Sequence, residues 1–415
     1  MKILLINKYH YIRGGAERAY FDMAEVLTEA GHEVAFFSMQ HPQNASTVWS
    51  NYFVSGVEYE ASESQGLWYR LRAMTRIWWN YEAQRNLDAL IDDFKPDIAH
   101  LHNIYHQLSP SIVWTLKKRG IPVVMTLHDY KLICPNYSLF VRGKVWEKSK
   151  PKRYYACVSD RCVKDSFLKS MVCVIEAYLH QCIGSYSKVD AFVAPSAFLI
   201  HKFKEFGFEK EIRLLPQPIL HTSTHTDDVS IALTPDAPFV FFGRLSKEKG
   251  IDVAIRAMTH YKGAAPLYIV GEGSEEESLR RLAQEIGVEQ RVKFTGVKYG
   301  EELTTILKQA RAIIVPSIWY ENMPYVLIES FELSKVVIAS RMGGITERIT
   351  DGENGFLFDS GDTQALASKM SEADALSDDA RHKLCAQAHA SLALFTRQAY
   401  LESLESLYKE LLESK

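Results

Sequence analysis

The chain has 415 residues, with 48 Lys and Arg against 51 Asp and Glu, for a formal charge of −3. Apolar residues make up 47% and charged residues 24%, the composition of a globular protein of two or three domains, which excludes collagen-like, coiled-coil and disordered classes. No apolar run approaches the ~20 residues that span a bilayer, the start Ile3–Ile6 breaks too early for a secretory signal, and the six Cys then read as cytosolic thiols rather than disulfides.

Lys2–Asn7 reads as a short apolar strand and Tyr9–Gly15 as a loop ending in two glycines. Glu17–Ala30 has helical spacing through Ala19, Met23, Ala24 and Leu27, and Gly31 stands where such a helix closes. Val34–Ser38 is the second strand. Asp97–Leu101, a helix near Ser111–Arg119, and the strands Pro122–Leu127 and Ala191–Ala194 continue the alternation. Continuous apolar strands between helices imply a parallel sheet covered on both faces. Residues 61–195 carry 19 basic and 12 acidic groups, too small an excess for a nucleic-acid binder. Within them, the run from Trp68-Tyr69-Arg70 to Arg76-Ile77-Trp78-Trp79 mixes aromatics with arginine, and Arg142–Lys169 has nine basic and three acidic residues. Such surfaces suit peripheral contact with anionic lipid, unless the helix simply packs its aromatics inward.

Pro216-Gln217-Pro218 and the polar stretch His221–Pro238 read as a linker. A second series follows with strands at Phe239–Phe242, Leu267–Val270, Val292–Phe294, Ala312–Val315 and Val336–Ala339. Ser391–Lys415 closes the chain as an amphipathic helix. The expected division is a first domain at 1–215, a linker at 216–238, a second domain at 239–390 and a helical segment at 391–415. The fold expected is α/β, with two Rossmann-like doubly wound parallel sheets and the last helix packing back on the first domain. A cleft between the carboxyl ends of both sheets is where such folds bind ligands.

Gly14-Gly15 before a helix aims backbone N–H groups and the positive helix end at an anion, although adjacent glycines also make plain turns. This is not the G-x-G-x-x-G of dinucleotide enzymes, so a NAD-dependent oxidoreductase is disfavoured. Phe242-Gly243-Arg244-Leu245-Ser246-Lys247-Glu248-Lys249-Gly250 sends Arg244 and Lys249 out of one strand end, able to neutralise a diphosphate. Gly271-Glu272-Gly273 makes the turn after the next strand. After Ala312–Ser317 comes Trp319-Tyr320-Glu321-Asn322-Met323-Pro324-Tyr325, where Asn322 and Pro324 signal a helix start. Glu321 then stands at the helix mouth, with Glu329 roughly 10 Å along at 1.5 Å per residue. No D-x-D carboxylate pair occurs, so leaving-group charge would fall to cations and helix ends instead of a metal.

In this order, Gly-Gly, FGRLSKEKG, GEG and the Glu-x7-Glu pair followed by Gly343-Gly344 resemble the retaining GT-B enzymes of glycosyltransferase family 4, over essentially the whole chain. The resemblance implies transfer of a sugar from a UDP- or GDP-linked donor, without a cofactor, to a glycan or polyprenyl-diphosphate-linked acceptor at the cytoplasmic side of a bacterial membrane. Sugar-nucleotide epimerases share the architecture, and a non-catalytic nucleotide-sugar binder would keep Arg244 and Lys249. Position by position, the resemblance gives Gly15, Arg244 and Lys249 to the donor diphosphate and Glu321 to a donor-sugar hydroxyl. Gly271 and the backbone around Asn322, Met323 and Tyr325 would meet sugar or phosphate oxygens, Glu329 the ribose, and Val297 the nucleobase. His128, in Thr126-Leu127-His128-Asp129-Tyr130, matches the histidine beside the reacting sugar; His102 and Asn103 would line the acceptor side. Where some family members carry an extra C-x2-C, this chain has Trp146 and Ser149, which leaves Cys134, Cys157 and Cys162 without a standard zinc spacing.

Overall fold

The computed structural model describes residues 1–56, 75–218, 234 and 236–414. It divides into two compact units. The first comprises Met1–Leu139, Glu147–Pro218 and Arg397–Lys415, the second Phe140–Trp146 and Ile219–Thr396.

The first unit is built on a parallel sheet of six strands, β1 (Lys2–Ile6), β2 (Glu33–Phe37), β3 (Ile98–Leu101), β4 (Val123–Thr126), β7 (Ala191–Ala194) and β8 (Ile212–Leu214). A two-stranded antiparallel ribbon, β5 (Phe140–Val141) and β6 (Lys144–Val145), lies between β4 and β7 in the chain and belongs to the second unit. The strand order β2-β1-β3-β4-β7-β8 reverses direction between β1 and β3. Every residue of β3 and β4 is buried, as a sheet covered by helices on both faces requires. Gly31 closes the helix Gly15–Glu29 at φ 83°, as its place in the sequence suggests.

The second unit holds β9 (Phe239–Phe242), β10 (Leu267–Val270), β11 (Val292–Gly296), β12 (Ala312–Val315), β13 (Val337–Ser340) and β14 (Phe356–Phe358), all parallel, in the order β11-β10-β9-β12-β13-β14. Period-two alternation sends Phe239 and Phe241 into one buried layer with Leu267 and Ile255, and Val240 and Phe242 into the other with Ile313 and Leu327. The order reverses between β9 and β12, and open α/β sheets bind ligands at such a reversal, outside the carboxyl ends of the strands.

The terminal helix Arg397–Glu413 packs on the first unit, as expected. Leu404, Leu407 and Tyr408 are buried, Tyr408 Oη lies 2.7 Å from His100 Nδ1, and Glu410 grips Arg213 through two bonds of 2.6 and 2.7 Å. Residues 391–395 form a separate 3-10 turn, so the helix begins six residues later than the pattern suggests.

One expectation is corrected. Cys157 and Cys162 are joined in a disulfide, with Cα atoms 4.9 Å apart, while Cys134, Cys173, Cys182 and Cys385 are free thiols. The short helix Ala156–Ser159 folds the chain back and brings the pair together, a local closure that a separation of five residues does not reveal. Residues 57–74 of the aromatic-basic run lie outside the described residues. The part that is described packs inward: Ile77 is buried, and Trp79 donates to Gln84 Oε1 at 2.9 Å with its ring 6.1 Å from that of Trp114.

Candidate active site

In the second unit, the loops leaving β9 and β12 meet at the reversal of strand order. Lys249 Nζ donates to Glu321 Oε1 at 2.7 Å, and Ser317 Oγ donates to the same oxygen at 2.6 Å. The loop carrying Lys249 is pinned to the end of β12 by Ile318 N–H on Glu248 O, 2.9 Å. Gly250 allows this approach: at φ 64°, a Cβ there would lie 2.1 Å from Pro316 O. On the other side, Gly344 N–H donates to Glu321 O at 2.7 Å, and a Cβ on Gly343 would lie 2.2 Å from that oxygen. The two glycines after β13 therefore serve as the wall against which the Glu321 backbone rests.

Glu321 is buried. Burial opposes its ionisation, but the Lys249 ammonium and the hydrogen bonds from Lys249 and Ser317 outweigh it and hold its pKa below the ordinary carboxylate value. The site thus presents a carboxylate at neutral pH. Arg244 is largely exposed, and its Nη2 lies 3.0 Å from Glu248 Oε1. Two cations thus stand at the end of one strand, beside a fixed anion from the neighbouring strand.

Helix Tyr325–Glu332 follows, with Pro324 as its cap residue and no side-chain cap. Asn322 is not that cap. Met323 packs its side chain into the core, leaving only its backbone for a ligand, and Tyr325 opens the helix. Glu321 precedes the helix by four residues, so the helical rise applies only from Tyr325 to Glu329, about 6 Å. Glu329 is half-buried on that helix. Gly271 follows β10, its N–H on Gly296 O at 3.0 Å, and Val297 follows the edge strand β11.

In the first unit, Gly15 opens a helix of 15 residues whose first turn has no side-chain cap. At the reversal between β1 and β3, Lys8 N–H donates to Asn103 O at 2.7 Å and Asn103 N–H to Asn7 Oδ1 at 3.1 Å. His102 follows β3 and His128 follows β4. Their rings stack with centroids 5.0 Å apart and share a hydrogen bond, Nδ1 to Nε2, of 2.8 Å. His102 Nε2 and Asn103 Oδ1 are buried and have no hydrogen-bond partner among the described residues. His100 sits beneath, bonded to Thr126 Oγ1 at 2.6 Å. The structure thus gathers His102, Asn103 and His128 at one sheet end, and separately gathers Arg244, Lys249 and Glu321 at the other sheet.

Burial drives these histidines neutral, taking His128 down to about 4, His100 to about 3 and His102 well below its ordinary value. Each folded-state pKa lies below the usual 6.5, so the unfolded chain takes up protons first. Their stabilisation is complete above about pH 6.5 and is lost as pH falls towards 4. Thermal melts from about pH 7 to 4.5 are expected to show a steadily falling midpoint. A midpoint that holds level across that range would contradict the assignment.

Sequence reasoning missed a further charged group in the first unit. Lys131 Nζ bonds Glu176 Oε2 at 2.7 Å, His106 Nε2 lies 3.2 Å from the same oxygen, and Cys173 stands beside them. The lone Lys131 and the Glu176 inside an apolar helix were the available signals, 45 residues apart.

Residues 13–220 match the family model described as Glycosyltransferase Family 4, and residues 227–390 match that of the glycosyl transferases group 1. A 42.6 kDa protein of the cps region of Klebsiella pneumoniae is 26% identical across 84% of this chain and 87% of its own length. The lipopolysaccharide core biosynthesis glycosyltransferase LpsE of Rhizobium meliloti is 28% identical across 56% of this chain and 67% of its own. Among solved structures, Anabaena HepE in complex with UDP and glucose has a TM-score of 0.68 at 16% identity, covering 99% of this chain and 100% of HepE. At that identity the likeness speaks for the fold alone.

Proposed function

The chain belongs to glycosyltransferase family 4, and from that premise we propose that it moves a sugar, with retained configuration, from a UDP- or GDP-linked donor to a glycan or polyprenyl-diphosphate-linked saccharide in the making of a bacterial surface polysaccharide. The observation that carries this reading is the Lys249–Glu321–Ser317 cluster at the reversal of the second sheet, with Arg244 on the same loop. As the donor bond breaks, charge grows on the diphosphate. Arg244 and Lys249 stabilise it from fixed positions, the part a divalent metal plays elsewhere, so no resident metal is required. Glu321, ionised, accepts a hydroxyl of the departing sugar. Gly15, Gly271, Met323 and Tyr325 contribute backbone to the donor, Val297 meets the base, and His128 faces the reacting sugar with His102 and Asn103 beside it. A cps-region relative and a lipopolysaccharide-core relative favour a surface glycan as acceptor. No helix among the described residues is long and apolar enough to cross a membrane, so a lipid-linked acceptor would be met at the membrane face.

Thermal shift against UDP, GDP and their sugars tests the donor, because a ligand of the folded state raises its melting temperature. Glu329→Ala is expected to weaken the best ligand by about ten- to a hundredfold, the loss of one charged hydrogen bond worth ~1.5–3 kcal/mol, while Glu329→Gln is milder. Transfer that persists in a chelator, with the product's anomeric configuration read by NMR, tests the chemistry. Activity that collapses with chelator and returns with Mg²⁺, or an inverted product, overturns the reading.

A further inference from the structure

Helix Phe167–Cys182 wears its polarity the wrong way round for a surface helix. Its polar residues Ser170, Cys173, Glu176 and His180 recur at intervals of three and four and are all buried. Glu176 turns inward to Lys131 and His106, and His180 Nδ1 lies 3.1 Å from Ser185 Oγ. The opposite stripe meets solvent with apolar side chains: Phe167 is 55% exposed, Leu168 53% and Ile175 40%. Tyr155, 60% exposed, adjoins this helix through its N–H on Tyr178 Oη at 3.3 Å. Ten large apolar side chains are strongly exposed among the described residues, and four of them fall in these 21 positions. Isolated exposed apolar residues are ordinary; a cluster on one helix marks a surface that is covered in use.

Charge says what covers it. Arg153 and Arg161 flank the short helix that packs here, both are exposed, and among the described residues neither guanidinium has an acidic partner. Asp160, the acid between them, is held by Lys148 at 2.8 Å. Lys164 and Lys169 add two cations at the start of the long helix. An apolar stripe bordered by unpaired arginines matches an anionic lipid interface, whose phosphates attract Lys and Arg and whose acyl boundary accepts Phe, Leu and Ile. Sixteen residues with Lys169 and Glu176 among them are too short and too charged to span the ~20-residue thickness of a bilayer. We propose that this face docks on an anionic bilayer, the helix lying in the plane of the interface with Phe167, Leu168 and Ile175 in the lipid and Arg153 and Arg161 on headgroup phosphates. The proposal deepens the reading of a lipid-linked acceptor and rests on it for its purpose, though its physical basis is separate.

Flotation of the full chain with vesicles of phosphatidylcholine alone, or with about 30% phosphatidylglycerol, at low and high salt, tests it. Binding is expected on the anionic vesicles and is expected to fall with salt. Phe167→Ser/Leu168→Ser/Ile175→Ser and, separately, Arg153→Glu/Arg161→Glu should each lower it about tenfold or more, with the melting temperature retained. No flotation at low salt overturns the proposal, as does flotation that neither variant weakens. A dimer that forms without vesicles and is abolished by the triple serine variant overturns it too, by giving the face to a second copy. The UDP-induced thermal shift, measured alongside, should survive in both variants, which separates failure of docking from failure of the transfer reading.

Discussion

Lys249→Ala is expected to lower kcat by about 10²–10³-fold, the loss seen when one fixed donor to a developing oxyanion is removed, with a much smaller change in donor KM. The asymmetry follows from where the charge develops. On the proposed reading the diphosphate of a bound donor would be shared with Arg244 and helix N–H groups, whereas the leaving group's extra charge arises in the transition state, where a fixed ammonium acts most strongly. The substitution also leaves Glu321 buried with Ser317 as its remaining partner at Oε1, so its carboxylate loses the ion that offsets burial. Glu321→Gln keeps a hydrogen-bond acceptor for Ser317 and should fall less in kcat than Glu321→Ala. Steady-state kinetics with a nucleotide titration of each variant separates the roles. A Lys249→Ala enzyme with near-normal kcat and a large loss of nucleotide affinity would assign Lys249 to ground-state binding instead.

The largest effect on stability is expected at Lys131. Lys131→Met strips the ammonium from Glu176, a residue only 1% exposed, and breaking a buried pair in this way costs about 3–5 kcal/mol. Burial pushes the Glu176 carboxyl up, but Lys131 and His106 together pull it down to about 2; burial likewise pulls Lys131 down, but the Glu176 carboxylate outweighs it and raises Lys131 well above its ordinary value. A carboxylate with a depressed folded pKa stabilises above its ordinary value near 4.5 and loses that contribution as pH falls towards 2. Lys131→Met should flatten the acid end of the stability curve as well as lower its plateau. Lys131→Met/Glu176→Leu, which removes both charges, should recover much of the loss. Urea unfolding of the three proteins decides it, and a single variant within about 1 kcal/mol of the parent would show the pair to be dispensable.

The second sheet was almost fully legible in the sequence because its strands are uninterrupted apolar tetrapeptides between clear breaks. Phe239–Phe242, Leu267–Val270 and Ala312–Val315 fall where the pattern puts them. Ile212–Leu214 and Phe356–Phe358 escaped it, since three residues carry no period, and each pairs only at a sheet edge. The Arg244, Lys249 and Glu321 group could be named from motif order, but what joins it is tertiary: a strand order that sets β9 against β12, and glycines at 250 and 343 whose missing Cβ atoms let the loops close. Helix Phe167–Cys182 was hidden for the opposite reason. Its polar residues Ser170, Cys173, Glu176 and His180 carry no sign in the sequence of which way they face, and it is Lys131 and His106, distant in the chain, that receive Glu176 inside.

The first unit is not one stretch of chain. Its sheet is complete by Leu214, yet Tyr408, which bonds His100, and Glu410, which holds Arg213, belong to a helix that starts at Arg397. During synthesis the first sheet therefore leaves the ribosome without its last layer. At about 5–20 residues per second, the wait from residue 218 to Glu413 lasts roughly 10–40 s. Over that interval the surface awaiting Leu404, Leu407 and Tyr408 stands open to water and to other chains, while Ile219–Thr396, the larger part of the second unit, is made in between. A nascent chain stalled before Arg397 would thus be the form most inclined to recruit a chaperone or to aggregate.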